Sequence, residues 1–130
     1  MTRRALLAAL CLIALASALE AHGPKGSKVA GANGGDIVDV EGGHLELVIG
    51  ASELLLYVTD LKDAPLMTAG LAARAIIQDA SNQAVVALAP REPNLLVAPL
   101  PAPLSKDAKI AISTTLAKDG KPVQARFVVK

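Results

Sequence analysis

The chain has 130 residues, enough for one domain, and 13 Lys and Arg stand against 12 Asp and Glu. This near-neutral balance excludes the basic surface of a typical nucleic-acid binder, and one Tyr, one Phe and no Trp leave no stacking platform for bases or sugars. An apolar content of 52% excludes a disordered chain.

Residues 1–21 read as a secretory signal. Arg3 and Arg4 form the positive start, and Ala5 to Ala16 is an unbroken apolar run. The run falls short of the roughly 20 residues that cross a bilayer. Two cleavage sites fit, one at Ala16-Ser17-Ala18 and one at Leu19-Glu20-Ala21, the second releasing a chain that begins at His22. The paired arginines loosely resemble a twin-arginine signal, but no large cofactor motif follows, so ordinary secretion is the expectation. Cys11 does not mark a lipoprotein, because Leu10 precedes it where a small residue is required. Cleavage after Ala21 removes the only cysteine and leaves as many basic as acidic side chains. The mature protein then has no disulfide, thiolate metal site or cysteine nucleophile, and it folds on its core alone.

His22 to Gly35, with five glycines and no apolar periodicity, reads as a flexible arm. It contains no phosphate-loop sequence. From Asp36 the pattern turns to short β-runs broken by turn residues. Strands are expected over Asp36–Val40, His44–Ile49, Glu53–Thr59, Leu71–Gln78, Gln83–Ala89, Asn94–Ala98, Ala108–Ala117 and Val123–Val129. Leu71–Gln78 has helical composition, but its length and neighbours favour a strand. Asp79-Ala80-Ser81-Asn82 and Asp119-Gly120 are hairpin signals. Pro99, Pro101 and Pro103 mark an extended crossing.

Seven or eight strands at such spacing predict an all-β fold, an antiparallel immunoglobulin-like sandwich or small barrel over residues 36–130. Period-2 alternation predicts a core of Leu45, Leu47, Ile49, Leu54, Leu56, Ile76, Val86, Ile110, Ile112, Phe127 and Val129.

Enzyme chemistry has little support. There is no GxSxG and no convincing nucleophile to pair with His44, so binding rather than catalysis is expected. The histidines carry more weight. A chain beginning at His22 has a free α-amine beside an imidazole, a chelating pair suited to Cu(II) or Ni(II). A mobile arm brings His22 to His44, and Asp36, Asp39 or Glu46 supplies oxygen. The alternative is that both histidines are incidental and the domain is a metal-free structural or interaction module.

Several short motifs carry a family resemblance: His22-Gly23-Pro24, Asn33-Gly34-Gly35, Glu41-Gly42, Glu46-Leu47-Val48, Tyr57-Val58-Thr59-Asp60 before Pro65, and Gln124-Ala125-Arg126-Phe127. Together they resemble small periplasmic proteins and the N-terminal sandwich module of adaptor subunits of heavy-metal efflux pumps. Lys25 to Ala32 separate two motifs that are contiguous in that pattern, and the adaptor's helical-hairpin and lipoyl modules have no counterpart here. The resemblance implies a periplasmic sandwich associated with metal handling, an efflux-pump component as a possible partner, and no particular activity.

Overall fold

The computed structural model describes residues 30–130; the expected signal and the expected arm as far as Val29 lie outside the described residues. Eight strands follow one another: β1 (Asp36–Val40), β2 (Gly43–Ile49), β3 (Glu53–Asp60), β4 (Ala73–Asp79), β5 (Asn82–Arg91), β6 (Leu95–Pro99), β7 (Lys109–Thr115) and β8 (Pro122–Val128). Every expected strand is present within a few residues, including β4, where composition alone allowed a helix. Among the described residues there is no helix.

All pairings are antiparallel, and the strand order is β1-β2-β3-β6-β5-β4-β7-β8. Strands β4, β5 and β6 follow one another, and β7 returns to lie beside β4, which makes a Greek key. Strand β5 holds the two halves together. Its residues Asn82–Leu88 pair with β4, and Ala89–Arg91 pair with β6. Gln83–Ala89 was expected to end before Pro90, yet Pro90 stands inside the strand, where its ring removes a donor as the chain passes between halves. The sheet curls until β1 approaches β8, and Lys130 Nζ lies 2.8 Å from Asp36 Oδ1 across the seam. The result is one nearly closed, barrel-like sheet.

One core fills it. Leu45, Leu54, Leu56 and Leu96 have no accessible surface, and each contributes about 1.5–3 kcal/mol by its burial. Leu47, Ile110, Ile112 and Phe127 are buried with them, and Ile49, Val86 and Val129 pack partly buried against the cluster. Ile76 departs from the expectation. It is 41% exposed, and its neighbour Ile77 is buried. The Asp79↔Asn82 pairing at the hairpin fixes the register, so that Ala73, Ala75 and Ile77 face inward and Arg74, Ile76 and Gln78 outward. Thr68 is fully buried in the β3–β4 connection and donates to Leu95 O at 2.8 Å, which ties that connection to β6.

Candidate functional site

The local sequence around His44 builds its environment. Glu41-Gly42 is a two-residue turn between β1 and β2, and Gly42 has φ 90°, a conformation that favours glycine. The turn pairs Val40 with Gly43, and so sets Asp39 opposite His44 on a shared face. His44 Nδ1 lies 2.7 Å from Asp39 Oδ1. A carboxylate only accepts, so Nδ1 is the donor of this pair, and when the ring carries a single proton its lone pair lies on Nε2.

On the other side, β3 pairs His44 with Thr59, and Thr59 bridges to Pro65, which folds the β3–β4 connection back towards the histidine. Asp60 shapes this connection. Its Oδ1 accepts from Lys62 N at 2.8 Å and Ala64 N at 2.9 Å. Asp63, at the tip with φ 64°, places Oδ1 3.6 Å from His44 Nε2. The imidazole thus lies between two carboxylates. Its side chain is 23% exposed and that of Asp63 85%, so the Nε2 side is open to solvent.

Metal ligands of these types sit about 2.0–2.2 Å from an ion, so two of them stand roughly 2.9–3.4 Å apart at right-angled to tetrahedral geometry. The 3.6 Å between Nε2 and Asp63 Oδ1 is within a small side-chain adjustment of that span. Asp39 stands where a carboxylate orients a ligating imidazole from behind. Among the described residues no group of three or more His, Cys, Asp or Glu side chains is placed to hold a metal. His44 and Asp63 are thus two donor-type side chains side by side, fewer than a metal centre needs.

The other expected ligands stand apart from this pair. Glu46 is only 7% exposed, although it lies on the outer face of β2, because the Ala30–Gly35 turn covers it. Its oxygens accept from Asn33 N at 2.9 Å, Asn33 Nδ2 at 3.0 Å and Gly35 N at 2.8 Å. Asp36 faces Lys130. His22 lies outside the described residues. Asp63 was not anticipated; its approach depends on the return of a loop, and the only advance signal was the acidic-turn composition of Asp60–Pro65.

No protein-family model, curated protein or solved structure matches the chain. No helix of the described residues is long and apolar enough to cross a membrane.

Proposed function

We propose that this is a metal-handling binding protein of the periplasm or an equivalent secreted compartment, with copper as the candidate ion and heavy-metal efflux or resistance as its setting. One observation carries the reading: Asp39 holds His44 Nδ1 and leaves Nε2 directed at the open carboxylate of Asp63. Both ring nitrogens meet carboxylates rather than a hydroxyl, an arrangement that supports binding over catalysis. His22 supplies the α-amine and second imidazole once the signal is removed after Ala21. Eight residues of arm span up to roughly 26–29 Å, while Ala30 bridges to Asp36 at the far end of a five-residue strand from His44. The arm is therefore long enough to reach. The immunoglobulin-like description of the fold belongs to the same proposal, supported by the Greek key and by β5 passing between two half-sheets.

The test is a Cu(II) titration of the mature protein beginning at His22, followed by electron paramagnetic resonance. A nitrogen-rich tetragonal signal at one equivalent is expected. Affinity falls on acidification, because protons compete for the amine and imidazole. One residue added before His22 weakens binding sharply, and Asp39→Ala weakens it about 10–100-fold. Equal affinity in His44→Ala and the parent would remove His44 from the site. Absence of tight binding in every form would favour the metal-free interaction module, a reading supported by the exposed Ile76 and Val85.

A further inference from the structure

Strand β5 is paired on one side along Asn82–Leu88, but β6 meets its other side only at Ala89–Arg91. Among the described residues, Asn82–Leu88 therefore presents a row of backbone donors and acceptors with no partner strand. The sheet's terminal strands, β1 and β8, lie against each other; among the described residues this stretch of β5 faces only the Leu100–Leu104 segment, across a groove. Natural edges of this kind are guarded by Lys, Pro or a bulge. Asn82-Gln83-Ala84-Val85-Val86-Ala87-Leu88 has no charge, no proline and no glycine. Val85 is 57% exposed, as is its cross-strand partner Ile76 at 41%. Beside the edge runs an apolar groove of about 240 Å³, lined by Ile77, Ala84, Val86, Leu100, Pro101 and Leu104 among others.

An occupant of this edge must be extended, uncharged and apolar at alternate positions. With residues 1–21 removed, as the proposed function has it, the arm 22–29, His-Gly-Pro-Lys-Gly-Ser-Lys-Val, is what remains outside the described residues; it has two lysines and a single branched apolar residue and does not meet that description. Strand β5 itself does. We propose that two copies of this chain associate edge to edge through β5, antiparallel and two-fold about Val85. A two-fold contact must be self-complementary. Near the axis it opposes like with like, so a charged edge would repel itself, and this edge carries no charge. Pairing about Val85 sets Val86 opposite Ala84 of the second copy, which offers each Val86 to the other's groove. On the outer face it aligns Ile76 and Val85 with Val85 and Ile76 of the second copy in one apolar row. The contact is small, and its affinity is correspondingly modest. It involves neither His44 nor Asp63, so it stands or falls apart from metal binding.

Sedimentation of the secreted chain over a range of concentrations, with amide hydrogen exchange on the same samples, tests this. A concentration-dependent monomer–dimer equilibrium is expected, with those amides of Gln83–Ala87 that point away from β4 becoming more protected as dimer forms. Val85→Lys should raise the dissociation constant at least about tenfold with an unchanged circular dichroism spectrum. Ala87→Lys, on the same exposed face, should do likewise. A monomer at every concentration would overturn the proposal, as would a dimer indifferent to both substitutions. Protection of the β5 amides that point away from β4, if it does not vary with concentration, would also overturn it, since the edge would then be covered by the same chain.

Discussion

Glu46 shows how one residue fixes the start of the domain. A buried carboxylate is costly unless its lone pairs are used, and three donors from Asn33 and Gly35 use them. The donors come from a short turn in which Gly31 N bonds Gly35 O at 2.7 Å and Gly34 N bonds Gly31 O at 3.0 Å. Gly31 lies so close to the Glu46 carboxylate that a Cβ there would overlap it, so glycine is needed for contact as well as for the turn. Glu46→Ala leaves the buried Gly35 N–H without its acceptor and should cost about 2–3 kcal/mol in urea unfolding. A loss within about 0.5 kcal/mol, the range of ordinary surface changes, would show that the turn is not held in this way. At His44 the same kind of residue-level accounting points outward: its Nε2 side faces solvent and an exposed carboxylate, whereas the oxygens of Glu46 are already engaged.

At the scale of the element, β4 is the informative strand. Its sequence, Ala73-Arg74-Ala75-Ile76-Ile77-Gln78-Asp79, offers two adjacent isoleucines, and only register decides which one faces the core. The two-residue connection Ala80-Ser81 sets that register, with Ala80 at φ 55° in a conformation glycine would adopt more easily. Inward Ala73 and Ala75 leave room for the leucines of β2, β3 and β6. Ile77→Ala should cost about 2–5 kcal/mol, as core truncations do. Ile76→Ala should change stability by no more than about 0.5 kcal/mol, as exposed positions do. Chemical denaturation of the two variants checks the assignment directly, and the reverse ranking would mean that β4 is slipped by one residue.

Across the whole molecule, closure comes from the shared core rather than from the seam. Leucines of β2, β3 and β6 meet Ile110, Ile112 and Phe127 of β7 and β8 in one cluster. The seam between β1 and β8 carries the Lys130–Asp36 ion pair, whose lysine is largely exposed. Exposed pairs contribute about 0–1 kcal/mol. Lys130→Ala should therefore lower stability by less than about 1 kcal/mol, and by less still at high salt, where screening removes the attraction. Thermal melts at low and high salt measure both. A larger, salt-independent loss would mean that the C-terminus closes the barrel by packing instead.

Much of this architecture was readable from local pattern. Alternation placed Leu45, Leu47, Leu54, Leu56, Ile110, Ile112 and Phe127 on buried faces, because a pleated strand sends alternate side chains to opposite sides whatever it pairs with. The turn after Val40 was legible too, but Asp39 stands across from His44 only because Gly43 belongs to β2 and pairs with Val40, which the composition of Glu41-Gly42-Gly43 did not show. Asp119-Gly120 marked a hairpin, although the connection it closes runs from Leu116 to Lys121, with Gly120 N bonding Ala117 O at 2.9 Å. Three features depended on the assembled sheet: which isoleucine of β4 faces inward, the fold of Ala30–Gly35 onto Glu46, and the approach of Asp63 to His44. Each rests on contacts between residues distant in the chain or on a register, and period-2 alternation in a single strand carries no information about either. The change of partner along β5 is of the same kind, since pairing with β4 and then β6 is a property of three strands together.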